Sequence, residues 1–211
     1  MGVVPRVTLR LALLGDSIAF GVGAAGPTDT LAPRLAAALV AAGFAVRTEV
    51  FAVPGAVSSD LGGQVRRAVP WRPDVAVVVV GANDLTRLVP PERSAAHLGD
   101  AVRALRAVGA RVVVAPAPDL SVVPHVPPAA RALVRAGSAM LRRAQVEVTV
   151  AAGGSVADVE GATSAGFASD RSLFSRDLFH PSSAGYALIS AALAPVVLVA
   201  GQEAVGVRQE G

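Results

Sequence analysis

Five short runs of aliphatic and β-branched residues punctuate this chain: Val7 to Leu14, Val46 to Val53, Val75 to Val80, Val112 to Ala115 and Val146 to Ala151, each bounded by Gly, Pro or Asp. None alternates cleanly between apolar and polar, so each reads as a strand covered on both faces, as a parallel sheet requires. Between the runs lie stretches of helical period. Leu98, Val102, Leu105 and Val108 share one side of such a stretch, with Arg103 and Arg106 on the other. Parallel neighbours need a connection long enough to return along a sheet face, so the pattern predicts right-handed crossovers and an open, doubly wound, three-layer α/β fold. Such sheets bind ligands beyond the carboxyl ends of their strands. That rule singles out four loops: Gly15-Asp16-Ser17, Gly55, Gly81-Ala82-Asn83-Asp84 and Pro116 to Pro128.

The chain has 211 residues, and 53% of them are apolar. This composition suits one packed domain, read as residues 1–200, with a polar tail at 201–211. There is no cysteine, which removes disulfides, thiolate metal sites and thiol nucleophiles. All 19 basic residues are arginine, the net charge is only +3, and the arginines are scattered, so no nucleic-acid-binding stripe is expected. Arg6 and Arg10 precede an apolar segment, Leu11 to Leu14, that is shorter than a signal-peptide core, and a cytoplasmic location is the expectation. The uncharged stretch Ser183 to Gly201 approaches the ~20 residues that span a bilayer. Pro195 and its many small residues assign it instead to a buried C-terminal helix with an apolar tail, and no membrane span is expected.

Ser17 follows the first strand, and Gly21 and Gly23 permit a turn that leaves its hydroxyl at the ligand-binding end. A serine there is a turn or cap residue, or a nucleophile if a base is near. Of the three histidines, His97 lies in an amphipathic segment and reads as solvated, while His125 lies in a loop at the correct end of the sheet and is a candidate pocket residue. His180 stands three residues after Asp177 and directly before Pro181, which can open the last helix. That spacing lets the carboxylate accept from one imidazole nitrogen and fix the tautomer, leaving the other for a serine. A solvated pair beside a helix start is the alternative. Ester chemistry also needs donors for a developing oxyanion. Gly55 lets a backbone N–H approach closely, and Asn83 offers a neutral amide; each is equally readable as a turn residue. Arg87 is a candidate contact for an anionic substrate, or a solvated loop arginine. The loops Phe20 to Thr30, Leu85 to Pro91 and Ala117 to Pro128 are the expected pocket walls.

Taken together, these residues resemble the SGNH hydrolases, also called the GDSL esterase/lipase family. "GDSIAFG" is similar to the family's first block, "PGA" to the second, "GAND" to the third and "DLFHPSSAGY" to the fifth, in the family's order and spanning Gly15 to Tyr186. The resemblance implies a flavodoxin-like sheet of five parallel strands in the order 2-1-3-4-5, and a hydrolase that needs neither metal nor organic cofactor. It implies Ser17 as nucleophile, Asp177 and His180 as the rest of a triad, and Gly55 and Asn83 as oxyanion donors beside the Ser17 N–H. The substrate expected is a small-molecule ester with a short to medium acyl chain. Acyl transfer to an alcohol, carbohydrate deacetylation, or an inactive binding module are the alternatives. Ile18 replaces the leucine of the motif name, and Ala56 stands where many members have a polar or second small residue.

Overall fold

The computed structural model describes residues 8–210; Val7, Arg6 and Gly211 lie outside the described residues. Five parallel strands form one sheet in the order β2-β1-β3-β4-β5, the topology the sequence implies. The strands are β1 (Thr8–Gly15), β2 (Ala45–Val50), β3 (Val75–Val79), β4 (Arg111–Ala115) and β5 (Ser155–Val156). The helices are α1 (Ser17–Phe20), α2 (Leu31–Ala41), α3 (Leu61–Trp71), α4 (Ala82–Thr86), α5 (Pro91–Ala107), α6 (Arg131–Ala151), α7 (Val159–Ser169) and α8 (Ser183–Glu210).

Successive side chains of a strand point to opposite faces, and β1 shows what that achieves. Leu9, Leu11 and Leu13 pack with Leu31, Leu35 and Leu39 of α2 and with Tyr186, Leu193 and Val197 of α8. Ala12 and Leu14 pack the other way, with Leu61 and Val65 of α3 and Leu98, Val102 and Leu105 of α5. Each fully buried leucine contributes about 1.5–3 kcal/mol. The unbroken apolar runs of β1, β3 and β4 therefore follow from a sheet with helices on both sides, whereas β2, at the sheet edge, exposes Arg47, Thr48 and Glu49 and is not the doubly covered strand that its run suggests.

Two sequence boundaries are corrected. Val146 to Ala151 is not a strand but the last turns of α6. The buried stripe of that helix is largely polar, Ser138, Leu141, Gln145 and Thr149, while Val150 is exposed, so apolar periodicity concealed the helix. The true β5 has two residues and pairs Val113 with Ser155 and Val114 with Val156. The division at residue 200 falls inside α8, which runs through Pro195 to Glu210, with Ala200 and Ala204 buried. Among the described residues, Ser183–Gly206 is one helix long and apolar enough to cross a membrane by length and composition. Its stripe Tyr186, Ile189, Leu193, Val197, Ala200 and Ala204 is spent on the core.

Two buried glutamines brace the carboxyl ends of the strands. Gly15 (φ 130) adopts a backbone closed to other residues, and a Cβ there would overlap the Val79 carbonyl. Its N–H donates to Gln64 Oε1 at 2.7 Å and its carbonyl accepts from Gln64 Nε2 at 2.8 Å. On α6, Gln145 Oε1 accepts from the Ala117 N–H at 2.7 Å, and its Nε2 donates to the Val80 carbonyl at 3.1 Å. These bonds satisfy backbone groups where the ladder ends.

Candidate active site

Ser17 opens α1 directly after β1. Asp16 caps the turn, its Oδ1 accepting the Ile18 N–H at 3.0 Å, and Gly21 (φ 104) ends it in the left-handed region. The serine is thereby held at a strand end with its side chain facing His180. His180 Nε2 lies 2.9 Å from Ser17 Oγ, and His180 Nδ1 lies 2.6 Å from Asp177 Oδ2. The carboxylate accepts from Nδ1–H, which leaves Nε2 as the acceptor for the serine proton. Groups 163 positions apart in the chain thus meet in one hydrogen-bonded line.

The aspartate is held by a tight turn. Its Oδ1 accepts from the Ser175 hydroxyl at 2.7 Å and from the Phe179 and His180 N–H groups, each at 2.9 Å. Desolvation works against the charged form, yet the bonds from His180, Phe179 and Ser175 outweigh it and hold the carboxyl well below the usual range. Leu178 in this turn has φ 55, a left-handed conformation costly for a leucine. Pro181 does not open α8; it forms an isolated bridge with Phe174, and the helix begins at Ser183. Tyr186 of α8 then donates its hydroxyl to the Val22 carbonyl at 2.7 Å, and Ser183 Oγ accepts the Ala25 N–H at 2.9 Å. The histidine's support is thereby tied to the segment after Ser17.

Gly55 and Asn83 follow β2 and β3, the two strands that flank β1. Gly55 (φ 80) requires the conformational freedom of glycine. Among the described residues, the N–H groups of Ser17 and Gly55 donate to no protein acceptor. Asn83 Nδ2 donates one hydrogen to the Ala56 carbonyl at 2.9 Å, leaving the second.

An apolar pocket of about 80 Å³ lies beside Ser17 and His180. Its walls come from the loop after β4 (Pro116, Leu120, Val123), from α7 (Val159, Thr163, Phe167) and from Phe174 and Phe179. Of the three expected wall loops, only Ala117 to Pro128 contributes; Phe20 to Thr30 and Leu85 to Pro91 do not. The misread fifth strand hid α7, whose Gly-, Ala- and Ser-rich sequence has no apolar stripe to reveal it.

Arg87 and His125 do not line this pocket either. Arg87 Nη2 donates to the Gly55 carbonyl at 2.9 Å, and His125 Nε2 donates to the Asp177 carbonyl at 2.7 Å, so both brace backbone next to the site. His97 is exposed on α5, as its pattern suggests. Two residues without a sequence-assigned role are deeply buried here, Asp16 and Asp84. Desolvation pushes the Asp16 carboxyl up to about 6, against the opposing bond from the Ile18 N–H.

A doubly wound parallel sheet with a serine, histidine and aspartate in line at the carboxyl ends of its strands defines a triad-bearing α/β protein. Residues 13–188 match the model of the GDSL-like lipase/acylhydrolase family, and the chain belongs to that family. It is 38% identical over 184 residues to a curated GDSL-like esterase of Mycobacterium tuberculosis, covering 85% of this chain and 59% of that protein. The chain thus spans less than two thirds of that relative's length. Among solved structures, TesA superposes with a TM-score of 0.72 at 20% identity, covering 90% of this chain and 99% of that one. Axe2, an acetylxylan esterase from Geobacillus stearothermophilus, gives 0.73 at 17%, covering 91% and 95%. At these identities, both likenesses bear on the fold.

Proposed function

We propose that this protein hydrolyses carboxylic esters through an acyl-enzyme on Ser17. The observation that carries this reading is the single imidazole bonded on one side to Asp177 and on the other to the serine hydroxyl. His180 Nε2 takes the Ser17 proton as Oγ attacks the ester carbonyl, and the imidazolium formed is stabilised by Asp177. The Ser17 and Gly55 N–H groups and the free hydrogen of the Asn83 amide receive the oxyanion. His180 then returns the proton to the departing alcohol, and water, deprotonated in the same way, releases the acid.

The pocket between the β4 loop and α7 receives the acyl chain. At about 80 Å³ it is close to half the ~150 Å³ of an apolar cavity known to take up benzene. It suits acetyl to butyryl groups, and a medium chain must extend beyond it. Ser17→Ala is expected to lower ester turnover at least about 10³-fold without loss of fold. Turnover unchanged in that variant, or no labelling of Ser17 by a phosphonate ester in the parent, refutes the assignment. The same kinetics on acetyl, butyryl and octanoyl nitrophenyl esters, with and without an acceptor alcohol, separate chain preference and acyl transfer from simple hydrolysis.

A further inference from the structure

Asp84 directly follows Asn83, is completely buried, and is used by none of the steps above. Its Oδ1 and Oδ2 accept the Ser58 N–H at 3.1 and 3.0 Å, and its Oδ2 accepts the Ser58 hydroxyl at 3.2 Å. Behind it stands Ser94 of α5, whose hydroxyl is 2.6 Å from Asp84 Oδ1 and 2.8 Å from Ser58 Oγ. No ion pair reaches this carboxylate among the described residues. A buried charge without a cation is costly unless hydrogen bonds satisfy it, and here donors from two other segments of the chain do so.

What those donors belong to gives the arrangement its meaning. Ser58 closes the loop that starts at Gly55, and that loop is gripped three times by one short stretch. Arg87 holds the Gly55 carbonyl, Asn83 holds the Ala56 carbonyl, and Asp84 holds the Ser58 N–H. Gly55 sits on the loop after β2 and Asn83 in α4, which follows β3, with β1 between those two strands. Nothing in the sheet itself fixes the separation of those loop tips, so the contacts between them must.

We infer that Asp84 is a positioning residue: it locks the Gly55–Ser58 loop to the Asn83 turn so that the two oxyanion donors form one rigid unit. The inference rests on the oxyanion reading proposed above. A carboxylate is required because three hydrogens converge on it. An asparagine turns an NH2 group toward one of them, which loosens the loop while changing the volume hardly at all.

The test is a kinetic comparison of Asp84→Asn, Asn83→Ala and the double variant on nitrophenyl butyrate, with thermal melting of each. Asp84→Asn is expected to lower kcat about 10- to 100-fold with KM changed less than about 3-fold, because a misplaced donor is felt in the transition state. Asn83→Ala is expected to lose about 10²–10³-fold. In the double variant the Asp84 change is expected to cost clearly less than it does in the parent, since one of the two donors whose mutual placement it fixes is gone. Ser94→Ala, which keeps the contacts between Asp84 and Ser58, is expected to lose less than Asp84→Asn. Multiplicative losses in the double variant overturn the inference, as does an Asp84→Asn protein with lowered melting temperature and parental kcat. If Asn83→Ala alone is fully active, the oxyanion reading fails and this inference fails with it; if only Asp84→Asn is fully active, the inference alone fails.

Discussion

Replacing Gln64 with leucine tests whether the buried amide, and not the apolar packing of α3, holds the end of β1. The substitution keeps similar volume but removes both bonds to Gly15. The two losses are unequal. The Gly15 carbonyl retains the Val53 N–H at 3.1 Å, so that bond costs about 0.5–1.5 kcal/mol. The Gly15 N–H is left buried with no acceptor, which costs about 1–3 kcal/mol. The sum is about 1.5–4.5 kcal/mol, a large fraction of a typical domain's 5–15 kcal/mol. For a chain of this size, about 2–4 °C are lost per kcal/mol, so the melting temperature is expected to fall by roughly 3–18 °C. Circular dichroism melts of parent and variant at equal concentration read this directly. Because Gly15 precedes the serine by two residues, kcat on a nitrophenyl ester is expected to fall as well. A melting temperature within 1 °C of the parent refutes the reasoning, for it means that the strand end tolerates an orphaned donor.

The remaining predictions concern the site more directly. A Cβ at Gly23 would stand 2.9 Å from His180 Cβ and 2.5 Å from the Pro181 carbonyl. Gly23→Ala is therefore expected to displace the imidazole and reduce kcat by about tenfold or more; parental kcat in a folded variant counts against that contact. Asp16 has its folded pKa raised from 3.8 to about 6, so the native state holds the proton that the unfolded chain releases, and stability drops as pH rises across this window. The drop is on the order of 3 kcal/mol, and urea melts of Asp16→Asn are expected to lack it; an identical pH dependence in that variant refutes the attribution. Asp177 has the opposite sign: its depressed pKa gives a contribution that is present above the unfolded carboxyl pKa and is lost as pH falls below it. Asp177→Asn is expected to show a shallower loss of stability on acidification, measured by urea melts between neutral and acid pH. Leu178→Gly relieves the left-handed backbone at φ 55 but gives glycine more freedom to lose. Its melting temperature is expected to change little while kcat falls, because the turn that aims His180 loosens; unchanged kcat refutes this.

Most of the architecture was legible because three strands, β1, β3 and β4, are largely apolar and buried on both faces, and a parallel sheet leaves that mark in primary order. The site was legible for a different reason. Ser17, Gly55 and Asn83 each lie within a few residues of a strand's carboxyl end, and Asp177 and His180 are close enough in sequence for one turn to join them. What escaped has one physical cause: polar side chains doing the work of core residues. Gln145, Thr149 and Ser138 make the buried face of α6 look solvated, so the helix was read through its valines as a strand. With the fifth strand misplaced, α7 could not be seen as a pocket wall. Gln64 and Asp84 carry no periodic signal at all, since Gln64 bonds the backbone of Gly15 and Asp84 bonds Ser58 and Ser94, all outside any helical or strand repeat. Arg87 and His125 were placed at the correct end of the sheet, but they spend their donors on the Gly55 and Asp177 carbonyls.

The stitching of Tyr186 to Val22 and of Ser183 to Ala25 bears on how the protein comes into being. A nascent chain can form β1, β2 and their helices before the Asp177–His180 turn and α8 have been synthesised. It then has a serine without a base and a loop without its anchor. Long-range closures of this kind are slow to form, so competence arrives late and all at once, when α8 docks. A fragment cut before residue 180 is expected to be inert toward esters however well its sheet has folded.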